Sequence, residues 1–318
     1  MNDISFANIF SIYRGTTHDG PGLRTTVFFS GCPLTCRWCH NPEGISEKQN
    51  IWWDPVKCIS CRSCVNVCQE KAVLFDHDGI HIRKQACSLC MKCTDICPAK
   101  AITPIYEKYA LDDLFQLLKK DKSFYQVSGG GVTASGGEAT LQYKFVAALF
   151  EKLKKDCITT ALDTCGHVNF KNINTILPFT DYILYDLKLF DSTLHRQYTG
   201  VSNELILDNL RYLIELNRTQ KHHFKIWIRT PLIPGITSTV ENITAISLFL
   251  KPFLGKEIER WEMCTFNNTC KKKYQKLGLN WEFSNYPMMS DSEVSEIRTL
   301  AASLNLPSDQ IVISGIIK

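Results

Sequence analysis

The sequence predicts an α/β protein with a parallel sheet, and it predicts that a cysteine-rich segment interrupts this fold. Apolar runs typical of strands alternate with stretches of helical periodicity along most of the chain. This alternation indicates βαβ units, and about six of them fit after Thr25, fewer than the eight of a closed barrel. With 318 residues, the chain is long enough to form one core that carries an inserted module.

The strands and helices can be assigned in order from their apolar pattern. The first parallel strand is predicted over residues 25–30, and a glycine-rich stretch over 129–138 follows the first helix and opens into the next. Later strands are expected over 158–163, 182–187, 224–230, 258–263 and 311–314. Helices are expected over 109–120, 141–154, 169–177, 204–216, 239–250 and 292–303. No internal repeat is evident, and Lys271, Lys272 and Lys273 are expected in a solvated turn.

Composition is informative mainly through the cysteines. The hydrophobic fraction of 44% and the net charge of +4 are ordinary for a soluble globular protein, so we expect no nucleic acid partner. No apolar stretch approaches the ~18 residues of a membrane span, and no secretory signal is visible, which favours a cytoplasmic location away from membranes. Eleven of the 15 cysteines fall in three tight clusters, which indicates bound metal rather than disulfides. The scattered ones are Cys157, Cys165, Cys264 and Cys270.

Three cysteines follow the first parallel strand directly, at the spacing C-x3-C-x2-C. They are Cys32, Cys36 and Cys39. Three thiolates on one short loop can bind three irons of a cubane cluster and leave the fourth iron open, as a catalytic metal site requires. The alternative is a zinc site, but zinc needs four ligands, and only His40 is near enough in sequence to complete the set.

A second group of cysteines lies within residues 51–104. It consists of two runs with the 2-2-3 spacing of bacterial two-cluster ferredoxins, namely Cys58, Cys61, Cys64 and Cys68, then Cys87, Cys90, Cys93 and Cys97. In that pattern the fourth cysteine of each run binds the cluster of the other run, so Cys97 and Cys68 exchange places. Gln69 stands where the first run would carry proline. Two zinc ribbons are the alternative, but this spacing favours two [4Fe–4S] clusters.

Polar residues follow the predicted strands at the end where parallel α/β sheets bind their ligands. These residues are Gly136, Gly137, Glu138, Asp163, Thr164, Asp186, Lys188 and Arg229. Without side chains, the glycines allow backbone groups to approach a ligand closely. The two aspartates could instead cap helices, which either could do while also binding a ligand. For Arg229 an ordinary salt bridge is an equal alternative.

These motifs together resemble a known family. The three-cysteine loop resembles the defining motif of the radical S-adenosylmethionine (SAM) enzymes, and residues 19–24, D-G-P-G-x-R, are similar to an element of the activating enzymes of glycyl radical enzymes. The resemblance extends from Asp19 to Gly278. It implies an open, partial (β/α)6 barrel formed by residues 1–50, with the cluster loop, and 105–318. The bacterial-ferredoxin-like 2[4Fe–4S] module would be inserted at 51–104.

The resemblance also implies roles for single residues. The open iron would chelate the methionine end of SAM, Asp19 would join the three cysteines in the catalytic site, and Trp38 would pack near the adenine. Contacts with the methionine end would come from Gly136, Gly137, Glu138, Lys188 and Arg229. Asp163, Thr164 and Asp186 would lie beside the cofactor, where the two aspartates could hold a monovalent cation.

One stretch departs from the family pattern. Asn267 stands where the family usually has a histidine that lies against the cofactor. Asparagine can still form hydrogen bonds, but it cannot titrate near neutral pH. Cys264 and Cys270 in the same stretch are expected to be ordinary thiols, because they have no further metal ligands nearby.

The function that the resemblance implies is the activation of a partner enzyme. The protein would use one electron and one SAM to remove a hydrogen from the Cα of a glycine in a glycyl radical enzyme of the dehydratase, decarboxylase or lyase type. Its cofactors would be three [4Fe–4S] clusters, SAM and a monovalent cation, and a flavodoxin or ferredoxin would donate the electron. Two alternatives remain: a radical SAM enzyme that modifies a small molecule or another peptide, and an iron–sulfur electron-transfer protein.

Overall fold

The structure is a computed structural model that describes residues 4–219 and 224–317. In these ranges the strands are β1 (Phe6–Thr16), β2 (Arg24–Phe29), β3 (Ile51–Trp53), β4 (Val73–Asp76), β5 (Gly79–Ile82), β6 (Ile102–Pro104), β7 (Glu107–Ala110), β8 (Gly131–Gly136), β9 (Thr159–Thr164), β10 (Tyr182–Asp186), β11 (Lys225–Leu232), β12 (Ile258–Thr265) and β13 (Ile311–Ser314). The helices are α1 (Ser63–Asn66), α2 (Lys92–Asp95), α3 (Leu111–Lys119), α4 (Lys122–Ser128), α5 (Tyr143–Lys155), α6 (Phe170–Ile176), α7 (Ser192–Thr199), α8 (Glu204–Arg218), α9 (Val240–Leu250), α10 (Lys271–Lys276) and α11 (Asp291–Ser303).

One open sheet of nine strands organises the described part of the chain, in the order β13-β12-β11-β10-β9-β8-β2-β1-β7. In this order, every neighbouring pair from β13 along to β2 is parallel. Strand β1 pairs antiparallel with both β2 and β7. The parallel strands follow the order of the chain because each connection returns through helices to the same edge. Their carboxyl ends therefore lie together, and the three-cysteine loop leaves the sheet at this edge.

The main core lies between this sheet and the helices that cover it. Helix α5 shows how the sequence builds it, since Val146, Leu149, Phe150 and Leu153 recur at helical spacing and are fully buried. Each such side chain contributes about 1.5–3 kcal/mol relative to an exposed one. The polar residues of α5 lie on its other face, so the helix covers the sheet with one side only.

The predicted α/β class with a mostly parallel sheet is confirmed. Each predicted strand and helix is present, with ends shifted by a few residues, and the strand predicted over 311–314 is β13. The helix predicted from residue 109 begins at Leu111, because residues 107–110 pair with β1 as strand β7. Strand β1, which is half-exposed over much of its length, and the short helices α4, α7 and α10 were not predicted, since short or half-exposed elements show too few periods of an apolar pattern.

Residues 51–104 leave the main sheet and return at the same place. Strands β3 and β6 form an antiparallel ribbon in which Ile51 lies opposite Pro104 and Trp53 lies opposite Ile102. Strands β4 and β5 form a hairpin, and α1 and α2 are short helices that contact each other. We call residues 51–104 the insert.

The backbone of the insert repeats with an offset of 29 residues. Ser60 matches Leu89 and Arg62 matches Met91, and all four residues have positive φ. The Ala72 and Ala101 N–H groups donate to the sulfurs of Cys68 and Cys97 at the same distance of 3.2 Å. The insert is therefore a repeat of backbone conformation, although no internal repeat is evident in the sequence. Few side chains besides the cysteines are shared between the halves, which is why the repeat is hidden in the sequence.

A correction concerns the three consecutive lysines. Lys271, Lys272 and Lys273 form the first turn of α10 rather than a solvated turn. Lys273 is half-buried, and its ammonium lies 2.7 Å from the buried carboxylate of Glu43. None of the helices in the described ranges is long and apolar enough to cross a membrane.

Candidate active site at the carboxyl edge of the sheet

The three-cysteine loop begins after β2 and is closed at its base by backbone hydrogen bonds. The Gly31 N–H donates to the Gly44 carbonyl at 2.8 Å, and the Cys32 N–H donates to the Ile45 carbonyl at 3.0 Å. A Cβ at Gly137 would lie 2.3 Å from the Gly31 carbonyl oxygen and 2.4 Å from that of Gly44. Only glycine fits at this position, so at least one glycine after β8 is required by the packing of the loop itself.

Two distant segments hold the outer part of the loop. On one side, the Thr35 N–H donates to the carbonyl of Thr199, the last residue of α7, at 2.8 Å. On the other side, the hydroxyl of Tyr274 on α10 donates to the Cys39 carbonyl at 2.9 Å. The positions of the three thiols are therefore set by the tertiary structure as well as by their spacing.

Trp38, predicted to pack near the adenine of SAM, lies in an apolar cluster beside the loop. It is 5% exposed, and its ring centroid lies 6.0 Å from that of Tyr198. Other buried members of this cluster are Leu189, Ile233, Phe266, Cys270, Tyr274, Trp281 and Phe283. Together they form an apolar wall next to the cysteines, and a contact between Trp38 and a cofactor stays a prediction.

Asn267, at the position of the family histidine, lies between β12 and α10. Its side-chain oxygen accepts hydrogen bonds from the N–H and the hydroxyl of Thr269, at 3.2 and 2.6 Å. Its backbone is hydrogen-bonded to His40, whose pKa is lowered by burial. The Asn267 side chain thus stabilises its own turn, and its contact with a cofactor also stays a prediction.

Glu138 is fully buried and ties β8 to β9. One carboxylate oxygen accepts from the hydroxyls of Thr140 and Thr164 at 2.6 and 2.8 Å, and the other accepts from the Cys165 N–H at 2.7 Å. The Glu138 N–H in turn donates to the Gly31 carbonyl at 2.7 Å. The polar atoms of Glu138 and Thr164 are therefore bonded within the protein, which makes both of them positioning residues for the loop. Direct contacts with a cofactor stay predictions.

The charged residues predicted at strand ends come together beside this loop. The Lys188 ammonium forms an ion pair with Asp186. The Arg229 guanidinium lies 3.6 Å from the Asp163 carboxylate and 3.4 Å from that of Glu262. The salt-bridge role considered for Arg229 is present, and Glu262 is a member of the group that the sequence did not reveal. The pairing of the strands identifies this residue, because Glu262 lies opposite Arg229 on the neighbouring strand.

Two of these charged residues, Asp163 and Lys188, have shifted pKa values. Burial raises the pKa of Asp163 to about 7, and the charge of Asp186 adds to this, while Arg229 and the Ser135 hydroxyl, which donates at 2.6 Å, oppose it. Burial would lower the pKa of Lys188, but the Asp186 carboxylate raises it above its usual value. Lys188 is therefore a permanent cation, whereas Asp163 changes its charge near neutral pH.

The D-G-P-G-x-R element is anchored against the sheet at both ends. The Asp19 carboxylate accepts from the Thr26 hydroxyl at 2.7 Å, and the Asp19 carbonyl accepts from the Thr133 hydroxyl at 2.7 Å. Arg24 is fully buried, and its Nε donates to Thr133 Oγ1 at 2.7 Å. Burial lowers the pKa of Arg24 to about 10. The element thus holds its own loop in place, and a catalytic role for Asp19 stays a prediction.

Cys165 is not scattered, as its sequence position suggested. It is 6% exposed and lies near Cys32, and its proximity lowers the pKa of the Cys32 thiol. Its signal was its place directly after Thr164, at the end of a strand that faces the loop. The thiols of Cys264 and Cys270 have only weak contacts at 3.7–3.9 Å, the former with Arg229 and Ser314 and the latter with the Cys39 carbonyl.

The eight cysteines of the insert line two separate pockets, each combining cysteines of both runs. The pocket that we name the outer pocket is lined by Cys58, Cys61, Cys64 and Cys97. The pocket that we name the inner pocket is lined by Cys68, Cys87, Cys90 and Cys93. This is the crossed grouping that the two-cluster pattern predicts. The left-handed residues Ser60, Arg62, Leu89 and Met91 turn the backbone around these pockets, in the manner of backbone concavities that bind anions and iron–sulfur clusters.

The spacing of the sulfurs distinguishes a cluster from a single metal ion. With Zn–S bonds of about 2.3 Å, the sulfurs of one tetrahedral zinc site lie roughly 4 Å apart. In residues 4–219 and 224–317, no three potential ligand atoms that include a cysteine sulfur lie within 4.8 Å of one another. The one such group in these ranges is Asp76, His77 and Asp78, exposed between β4 and β5. In these ranges, no three cysteine sulfurs are therefore as close together as a single zinc ion would hold them.

Comparisons with known proteins agree with this site. A family described as "4Fe-4S single cluster domain" matches residues 18–206. The chain is 36% identical over 310 residues to the (2S)-3-sulfopropanediol dehydratase activating enzyme of Klebsiella oxytoca, with 96% of each chain covered. It is also 36% identical over 300 residues to the trans-4-hydroxy-L-proline dehydratase activating enzyme of Clostridioides difficile, covering 93% of this chain and 96% of that one.

Among solved structures, a radical SAM methyltransferase from Sphaerobacter thermophilus has a similar fold. The TM-score is 0.54 at 11% identity, with 98% of this chain and 73% of that chain covered. At this identity the likeness concerns the fold alone. The activating enzymes, by contrast, match in sequence over nearly their whole length.

Proposed function

This chain belongs to the family of glycyl radical enzyme activating enzymes, and we propose which of its residues perform that activity. It is an enzyme that uses an iron–sulfur cluster and SAM and acts on a partner glycyl radical enzyme. Membership of this family sets aside both the pure electron-transfer protein and the radical SAM enzyme of a small molecule. The relatives named above activate dehydratases, and the partner of this chain is proposed to be of the dehydratase, decarboxylase or lyase type.

Cys32, Cys36 and Cys39 would hold a [4Fe–4S] cluster through three thiolates. When bound, the cluster would supply the one electron for cleavage of SAM to methionine and a 5′-deoxyadenosyl radical, which would become 5′-deoxyadenosine by taking a hydrogen atom from the glycine Cα of the partner. The residues of the chain would bind and orient SAM. Lys188, a cation paired with Asp186, would serve the methionine carboxylate. Trp38 and its neighbours provide an apolar surface for the adenine.

The remaining strand-end residues are proposed to bind a cation beside the cofactor and to let the backbone approach it closely. Asp163 and Asp186 hold a monovalent cation beside it, and Arg229 links Asp163 to the next strand. The glycines at 136 and 137 let backbone groups come close to the methionine end, while Glu138, Thr164, Asp19 and Asn267 line or brace the site. What supports these roles is the convergence of the residues at one sheet edge.

The main sheet is proposed to be a partial (β/α)6 barrel of the radical SAM type, formed by residues 1–50 and 105–318. Residues 51–104 are proposed to be a ferredoxin-like module with one [4Fe–4S] cluster in each pocket, which makes three clusters in all. The barrel is supported by the sequential order of the parallel strands. The module is supported by the crossed lining of its pockets and by its backbone repeat.

The module passes electrons from a flavodoxin or ferredoxin to the three-cysteine loop. Its pockets each contain one exposed cysteine, Cys61 and Cys90, and electron transfer through metal groups needs such access from solvent. A role in recognition alone would not require eight cysteines in two pockets. Iron–sulfur clusters span ~ −700 to +450 mV depending on surroundings, which leaves room for the low potential that SAM cleavage needs.

The observation that carries these assignments is the position of the Lys188–Asp186 pair beside the three-cysteine loop. The test is equilibrium binding of SAM to the cluster-loaded Asp186→Ala variant. Loss of one partner of a buried charge pair costs about 2–5 kcal/mol, so SAM affinity should fall at least tenfold while the iron content stays unchanged. Asp208→Ala, an exposed carboxylate on α8, is the matched control and should bind SAM normally.

Two outcomes of that experiment would count against the proposal. Unaltered SAM affinity in Asp186→Ala would remove the cofactor role of the pair, and an activity that responds to no monovalent cation would remove the cation site. The activity itself is tested by mixing the reduced enzyme, SAM and a candidate glycyl radical enzyme of the dehydratase type. An electron paramagnetic resonance signal of a glycyl radical is expected, and its absence would mean that this pairing of enzymes is wrong.

A further inference from the structure

The two halves of the insert share a backbone but differ in their exposed side chains. In the loop that leads into the outer pocket, Val56 is 87% exposed and Ile59 is 64% exposed. At the matching positions of the inner half, the residues are Gln85 and Ser88. Since the backbone is the same in both halves, folding of the insert does not require aliphatic side chains at these positions. Adjacent exposed aliphatic side chains are a mark of interaction surfaces.

The outer pocket is also the one farther from the main sheet. Ile51, at the base of the β3–β6 ribbon, lines the inner pocket, whereas Trp53 farther along the ribbon lines the outer one. The Lys84 ammonium, in the loop leading to the inner pocket, donates to the Leu277 carbonyl of the main domain at 3.1 Å. The same segment also contacts the start of the loop to the outer pocket, since the Lys276 ammonium lies 2.7 Å from the Asp54 carboxylate. The positions of Ile51 and Trp53 along the ribbon are therefore what place the outer pocket farther from the main sheet.

Cations lie close in sequence to the two aliphatic side chains. Residues 55–62 contain Lys57 and Arg62, and Lys100 follows Cys97, while neither 55–62 nor 97–101 contains a carboxylate. The Arg62 guanidinium lies 4.6 Å from the ring centre of Phe75 on the hairpin. Of the neighbouring carboxylates, Asp54 is paired with Lys276 at 2.7 Å, and Asp95 is exposed on α2. We call Val56, Lys57, Ile59, Arg62 and Lys100 the outer face.

We propose that the outer face is the docking surface for a small acidic electron-carrier protein. This inference rests on the proposed function of the insert as an electron relay. Val56 and Ile59 form the apolar centre of the contact and the three cations form its rim, which suits the small interfaces, below about 1,200 Å², of transient electron-transfer complexes. The carrier is oxidised by one electron, and the metal group held by the outer pocket is reduced by one. Opposite charges on the two proteins speed their association.

The test compares two double variants that add the same charge at matched positions of the repeat. Val56→Glu with Ile59→Glu changes the outer face, and Gln85→Glu with Ser88→Glu changes the inner half. The readout is the dissociation constant of a bacterial flavodoxin, measured by calorimetry on the full-length, cluster-loaded protein. The outer variant should bind at least tenfold more weakly, since like charges at an interface repel, and the matched variant should stay within about twofold.

Salt provides a second measurement. Flavodoxin binding to the unmodified protein should weaken as ionic strength rises, and this dependence should be smaller in Lys57→Gln with Arg62→Gln. If the glutamate variants lose iron, Val56→Ser with Ile59→Ser replaces them, with weaker flavodoxin binding again expected.

The outcomes separate failure of the docking surface from failure of the relay. Unchanged flavodoxin affinity in the outer variant, or an equal loss in the matched variant, overturns the docking surface. An outer variant that binds flavodoxin normally but no longer activates the glycyl radical enzyme also overturns the docking surface. In that case the outer face would bind the glycyl radical enzyme instead. SAM cleavage driven by dithionite should be normal in both variants. If the unmodified protein does not cleave SAM with dithionite, the proposed function itself fails.

Discussion

Tyr274 donates a hydrogen bond to the Cys39 carbonyl across 235 positions of the chain. In the insert, by contrast, the sulfurs of Cys68 and Cys97 accept hydrogen bonds from N–H groups only four positions away. The three-cysteine loop also has local N–H···S bonds, at Cys32 and Cys39, but distant parts of a large fold brace it in addition. The insert is held mainly by its own short turns, with a few contacts to the main domain such as that of Lys84 with the Leu277 carbonyl.

The cores differ in the same way. The buried apolar cluster of the insert contains few side chains besides cysteines, namely Ile51, Val73, Ile80 and Ile102. A core this small contributes little, so bound metal groups must contribute much of the folding free energy of the insert. We therefore expect the three-cysteine loop to keep its shape without metal and the insert to need bound metal for its fold.

Cys36→Ala should abolish SAM cleavage and leave the fold intact. The loop is braced by hydrogen bonds from α7 and α10, so thermal unfolding should change little. Formation of 5′-deoxyadenosine should fall to background, and the iron of the insert should remain. A variant that still formed 5′-deoxyadenosine at nearly the original rate would rule out this loop as the catalytic cluster site.

Cys61→Ser with Cys90→Ser should abolish turnover driven by a protein donor only. Each pocket loses one of four thiolates, so the relay is interrupted, while a small chemical reductant can still reach the three-cysteine loop. Because the insert depends on its metal, an early unfolding transition should also appear. Cys157→Ser, an exposed cysteine elsewhere, is the control.

For that pair of variants, binding of the partner enzyme must be checked alongside turnover. Retained binding with lost donor-driven turnover supports the relay. Equal donor-driven rates in the variant and the original protein would contradict it and favour recognition as the role of the insert.

Lys273→Ala should destabilise the main domain by about 3 kcal/mol, because it leaves the buried Glu43 carboxylate without its cation. One Glu43 oxygen already lacks a hydrogen-bond partner in the described residues. Urea unfolding measures this effect, and Lys271→Ala, fully on the surface of α10, should change stability by less than about 0.5 kcal/mol. A loss below about 1 kcal/mol in Lys273→Ala would show that the ion pair does not brace the loop.

The smallest effect concerns pH. Asp163 has a pKa of about 7, raised by burial, so its carboxylate is mostly ionised at pH 8 and mostly protonated at pH 6. If only the ionised form supports the cofactor and its cation, SAM affinity should fall about tenfold from pH 8 to pH 6. Asp163→Asn should bind weakly with a flatter pH profile. A slope that persists in Asp163→Asn would assign the titration to another group.

Local spacing is what the sequence by itself determined. The three cysteine runs, the alternation of strands and helices, and the polar residues at strand ends are all patterns over a few neighbouring residues. Metal ligands and amphipathic elements depend on such spacing, which is why the α/β class and the family could be predicted. The cytoplasmic location stays a prediction.

Which residues meet across the fold could be read from the folded chain alone. The Glu138 hub, the contact of Cys165 with Cys32 and the ion pair of Lys273 with Glu43 join segments far apart in the chain. The difference between the inner and outer pockets depends likewise on how the ribbon leaves the sheet. No local pattern encodes such contacts, because they arise when separately formed elements pack together and bury their remaining polar groups.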